Sequence, residues 1–134
     1  MQKTFLLCTD GAWENGRATT GLLLYNPDNQ ELTVREIEVP DSLTKLWLQV
    51  VGQQIVCQIE LYAYRAARFE YKNLFLNRGV IAWLDNESAR YAASKGSAQA
   101  PTLTAMARLI QQLEVQYPTV LWVEIGRASC RERV

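Results

Sequence analysis

Three carboxylates stand where a side chain could do chemistry. Asp85 closes the apolar run Val80 to Leu84, and Asp10 closes the run from Thr4 to Thr9 with Gly11 directly behind it. The third, Glu60, lies inside a helical pattern between Ile59 and Leu61, where a charge is costly unless water, a metal or a partner reaches it. The chain contains no histidine. That excludes Ser-His and Cys-His nucleophile pairs and histidine-based zinc sites, leaving carboxylates as the main candidates for catalysis. Each also has a plainer reading. Asp85 or Asn86 could simply cap a helix, Asp10-Gly11 could be a hairpin turn, and Glu60 could sit on a solvated helix edge.

The elements that must position these groups are legible from periodicity. Gly79 to Gly96, GVIAWLDNESARYAASKG, reads as a buried strand running straight into a helix, which puts Asp85 at the carboxyl end of the strand. In an open α/β sheet that edge is where ligands and chemistry collect. Before it come three strands, Thr4 to Thr9, Ala18 to Tyr25 and Glu31 to Val39, the last two separated by the turn Asn26-Pro27-Asp28-Asn29. Together they read as an antiparallel meander. After Pro40 a short helical turn carries Leu43, Leu46 and Trp47, and Gly52 breaks it. A helix from about Gln54 to Phe69 puts Ile55, Ile59, Tyr62 and Ala66 on one face, with Arg65, Arg68 and Lys72 on the polar side. Beyond the central strand, Glu87 to Lys95 is a short alanine-rich helix. Pro101 opens a longer one with the core stripe Leu103, Met106, Ile110, Leu113 and Tyr117, and Thr119 to Val123 is a fifth strand. Three strands, a helix, a strand, two helices and a strand imply an α/β fold, a mixed sheet with helices covering its faces.

With 134 residues, 49% of them hydrophobic, the chain is long enough for one domain with a real core. No apolar run approaches membrane-spanning length, and FLLC is too short for a signal-peptide core, so an intracellular protein of cytoplasm or nucleus is expected. Cys8, Cys57 and Cys130 lack metal-ligand spacing and read as reduced thiols.

TDGA at Asp10, QIEL at Glu60 and WLDNESAR at Asp85, in this order of elements, resemble the ribonuclease H fold. More narrowly, DNESARYAASKGS resembles the ribonuclease H domains that follow reverse transcriptase in certain mobile elements, and the likeness spans Lys3 to Val123. The resemblance implies a five-stranded mixed sheet with helices on both faces and a metal-dependent endonuclease that cuts the RNA strand of RNA–DNA hybrids. It makes Asp10, Glu60 and Asp85 the catalytic and metal-binding residues for magnesium or manganese. Such chemistry is physically coherent, because two divalent ions about 4 Å apart can activate a water and stabilise a leaving oxygen, and hard cations prefer oxygen ligands. Asn86, Arg90 and Lys95 lie near the site in sequence as candidate substrate contacts, although a solvated helix face explains them equally well. A covalently linked reverse transcriptase is the implied partner.

The end of the chain departs from this pattern. A last helix with a fourth carboxylate is expected after the fifth strand, but Glu124 to Val134, EIGRASCRERV, reads as an in-frame translation of a common sequencing adapter. The domain is therefore expected to span residues 1–123, truncated, with an adapter-derived tail at 124–134. Setting aside Arg127, Arg131, Arg133, Glu124 and Glu132 takes Lys+Arg from 14 to 11 and Asp+Glu from 14 to 12, leaving no strong basic footprint for nucleic acid. Two other functions share the fold: an inactive module connecting a polymerase to its template, and a nuclease or transposase acting on DNA.

Overall fold

The computed structural model describes residues 3–52, 55–86, 89, 90, 92, 93 and 101–125. The first strand, β1 (Phe5–Glu14), forms a hairpin with β2 (Arg17–Asn26), and β3 (Glu31–Ile37) completes an antiparallel meander. Helices α1 (Asp41–Val51) and α2 (Val56–Glu70) follow. The chain then enters β4 (Gly79–Leu84), helix α3 (Pro101–Gln116) and β5 (Val120–Ile125). The order across the sheet is β3-β2-β1-β4-β5, with β4 parallel to both β1 and β5.

The meander differs from its sequence reading in one way that matters. β1 does not end at Asp10-Gly11 but continues to Glu14, and the reversal occurs at Asn15-Gly16, both at positive φ (53° and 72°). Asn-Gly is the pair best suited to the left-handed two-residue turn that matches the twist of paired strands. Asp10 therefore stands in the middle of a strand, opposite Gly21 on β2.

One face of the sheet is formed by Phe5, Leu7, Leu22, Leu24, Val80, Ala82 and Leu84, all almost fully buried. Trp47 of α1, Ile59 and Tyr64 of α2, Leu103 and Ile110 of α3, and Ala89 and Ala92 join the same core. Every described helical segment thus contributes to this core. The α3 stripe is as expected from Leu103 to Leu113, while Tyr117 lies one residue past the helix end. The α2 stripe is rotated relative to its sequence reading. Ala63, Tyr64, Ala67 and Arg68 are buried, whereas Tyr62 and Ala66 are only half-buried.

Arg68, expected on the polar side, is only 3% exposed. Its guanidinium donates to the Tyr64 hydroxyl at 2.8 Å and pairs with Glu114 of α3, whose other oxygen accepts the Thr119 N–H. A buried charge is tolerated only with such partners. Cys57 is a free thiol, and Cys8 is disulfide-bonded, which corrects the expectation of a fully reduced set. β5 extends two residues past the strand end expected at Val123, with Glu124 and Ile125 paired to Trp83 and Leu84. Among the described residues no helix is long and apolar enough to cross a membrane.

Candidate functional site

Strand register brings the first two carboxylates together. The parallel ladder between β1 and β4 ends with Thr9 beside Leu84, so the next residue on each strand is a carboxylate, Asp10 and Asp85. β1 continues in register with β2, whereas β4 stops. The two strands therefore part at that level. Both aspartates are exposed in the resulting notch.

Glu60 reaches the same notch from α2. The helix crosses β1 so closely at Gly11 that a Cβ there would lie 2.8 Å from Ile59 Cγ2, 3.2 Å from Glu60 Cγ and 3.3 Å from the Glu60 backbone nitrogen. Gly11 is needed for this approach, not for a turn, a role its sequence context leaves hidden. The only hint is a glycine directly behind a strand-borne carboxylate. One carboxylate oxygen from each of Asp10, Glu60 and Asp85 lies within 4.8 Å of the others.

Asn86, not Asp85, caps the following helical segment. Its Oδ1 accepts the Ala89 N–H at 3.0 Å, and its carbonyl accepts the Arg90 N–H at 2.9 Å. Asp85 is thereby left without a capping duty. Asn86 and Arg90 are half-buried beside the notch, and Lys95 lies outside the described residues. The sequence reading did not single out Thr9, whose buried hydroxyl has no hydrogen-bond partner among the described residues.

The electrostatics of Glu60 follow from this placement. Only 3% exposed, it is pushed up from 4.5 to about 7, first by burial and then by the charges of Asp10 and Asp85; hydrogen bonding from the Gly11 and Asn86 backbones pulls weakly the other way. Among the described residues its buried Oε2 has no hydrogen-bond partner. An orphaned buried oxygen inside an all-carboxylate cluster fits a hard divalent cation, which would accept that lone pair and offset the mutual repulsion. All three residues could ligate it.

A pH prediction follows from the raised value. In metal-free protein the folded state holds a proton on Glu60 that the unfolded chain has released, so this group favours folding below pH 4.5 and the contribution is lost as pH rises through about 7. At most about 3 kcal/mol is involved. With EDTA present, the melting temperature should fall between pH 5 and pH 8, and magnesium should restore more stability at pH 8 than at pH 5. The Glu60→Gln variant should flatten both trends. Equal magnesium shifts at both pH values in the parent chain would refute this account of the cluster.

No family model and no curated protein sequence matches the chain. Solved structures do. The N-terminal RNase H domain of Rv2228c from Mycobacterium tuberculosis, solved as a fusion with maltose-binding protein, superposes with a TM-score of 0.68 at 14% identity, over 96% of this chain and 92% of that one. The chain has the ribonuclease H fold. RNase H1 from the archaeon Halobacterium salinarum superposes on this ribonuclease H-like domain with a TM-score of 0.66 at 16% identity, over 96% and 90% of the two chains. LC11-RNase H1, a compost metagenome protein solved in complex with an RNA/DNA hybrid, gives 0.60 at 14% identity, over 97% and 90%. At these identities the likeness concerns the fold, and the chemistry has to be argued from the notch itself.

Proposed function

We propose that this ribonuclease H-like domain is a metal-dependent endonuclease that cuts the RNA strand of RNA–DNA hybrids. The observation that carries the reading is the convergence of Asp10, Glu60 and Asp85 within 4.8 Å at the strand edge. A fold shared with a protein solved on an RNA/DNA hybrid supports the substrate, as does the likeness of DNESARYAASKGS to ribonuclease H domains adjoining reverse transcriptases.

When bound, magnesium or manganese supplies Lewis acidity toward both the attacking water and the leaving oxygen. The chain's own residues do the rest. Asp10 and Asp85, fixed in register by the β1/β4 ladder, present their oxygens to the open side of the notch, where a phosphodiester can approach. Glu60 closes it from behind and would hold a cation through its deprotonated carboxylate. Asn86 holds the start of the next helical segment, which carries Arg90, a candidate contact for the phosphates and for the 2′-hydroxyls that distinguish RNA from DNA.

The test uses end-labelled duplexes of one sequence: RNA–DNA hybrid, RNA–RNA and DNA–DNA. Cleavage of only the RNA strand of the hybrid, with magnesium or manganese and not with EDTA, is expected. Absence of cleavage, or equal cutting of duplex DNA, would sink the proposal.

A further inference from the structure

The outer surface at the end of α2 carries a cluster that the notch does not use. Phe69 is 47% exposed, unusual for a phenylalanine on a packed helix. The Lys72 ammonium sits 3.9 Å from the centre of its ring, and the Arg65 guanidinium lies over it at 5.4 Å. Tyr117, just past α3, borders Lys72 at 5.6 Å. Aromatic faces attract cations without neutralising them, so the rings hold both side chains in place while leaving their charge available. The nearby carboxylates are already committed, Glu70 to Arg35 and Glu114 to Arg68. Among the described residues neither Arg65 nor Lys72 has an ionic partner, and the buried Arg65 Nε–H has no acceptor.

From this we infer a second nucleic-acid contact: Arg65 and Lys72, mounted on Phe69, bind the phosphodiester backbone of a single strand flanking the hybrid. The inference rests on the proposed function for the origin of that strand. Geometry favours a single strand over a duplex. Phe69 is nine residues beyond Glu60, about 13 Å along the helix axis and half a turn around it, so the cluster faces away from the notch. A strand running from one to the other must bend around α2, which a stiff duplex resists and a flexible single strand does not.

Binding of two probes by fluorescence anisotropy in EDTA tests the inference: a short blunt RNA–DNA hybrid, and the same hybrid extended by an oligothymidine tail. The tail should tighten binding by the parent chain several-fold. In an Arg65→Gln/Lys72→Gln variant that gain should vanish, and the salt dependence of tailed binding should become shallower by about 1.4 in log–log slope, the value for two single-strand phosphates. Cleavage of the blunt hybrid with magnesium should be unchanged, which also reports an intact fold. Phe69→Leu, which keeps the apolar packing but removes the ring, should lose part of the gain. No gain from the tail in the parent chain, or an undiminished gain in the double variant, overturns the inference. A parent chain that gains from the tail yet never cleaves the blunt hybrid upholds it and instead overturns the nuclease reading.

Discussion

Replacing Asp85 with asparagine should reduce metal-dependent hybrid cleavage by about 10²- to 10³-fold, the range for removing one group that stabilises transition-state charge, while the fold survives. The structure separates the two roles that sequence leaves tangled at this position. Asn86 accepts the capping hydrogen bond from Ala89, so an amide at position 85 takes nothing from the helix. Asp85 is also one of the charges holding Glu60 up, and removing it relieves repulsion. Metal-free Asp85→Asn should therefore melt higher than the parent chain at pH 8, even as its cleavage collapses. Asn86→Ala should do the reverse, costing about 1 kcal/mol as a lost cap with a smaller effect on rate. Cleavage assays and thermal melts on the two variants decide the matter. An Asp85→Asn protein of undiminished activity would remove this residue from the site.

The second large effect is expected at Gly11. An alanine methyl at 2.8 Å from Ile59 Cγ2 and 3.3 Å from the Glu60 backbone nitrogen cannot be accommodated by moving a flexible side chain alone. Helix α2 must back away from β1. Overpacking of this kind costs about 1–3 kcal/mol. Because Glu60 rides on the same turn, it leaves its place against the aspartates, and a displacement of about 1 Å can cost 10²-fold in rate. Gly21→Ala is the matched control. Gly21 pairs with Asp10 on the neighbouring strand, but its added Cβ would meet only the Arg35 carbonyl at an ordinary 3.6 Å. If Gly11→Ala cleaves and melts like Gly21→Ala, the close crossing is not what positions Glu60.

The three carboxylates are legible in the sequence because each interrupts an apolar pattern, and interruption is visible without a structure. What they interrupt is harder to read. Asp10-Gly11 and Asn15-Gly16 are both turn-forming pairs, five positions apart, and local propensity does not say which one turns. The answer depends on α2 needing a residue without a side chain at position 11, a tertiary demand. The same limit applies at Arg68. Helical spacing places it beside Arg65 on a polar side, and only its pairing with Glu114, 46 residues away, makes burial affordable. The Asn86 cap and the β5 boundary also turn on single hydrogen bonds and strand pairs that composition does not encode. The fold as a whole survives these local errors, since the sequence of strand and helix periods depends on none of them.

The ladder joining β1 to β4 also has a kinetic meaning. Phe5 pairs with Val80, a contact across most of the chain, and it must form before Asp10 and Asp85 can meet. Contacts of such sequence separation carry a large closure entropy and set the pace of folding. In the unfolded chain the three acidic groups are far apart and scarcely repel one another; their conflict arises only once the β1/β4 ladder and the α2 crossing bring them together. A divalent ion held by the three carboxylates would act as a latch on the folded structure. Because ligation needs residues from β1, α2 and β4 together, magnesium is expected to slow unfolding more than it speeds folding, read from the two rates with magnesium and with EDTA.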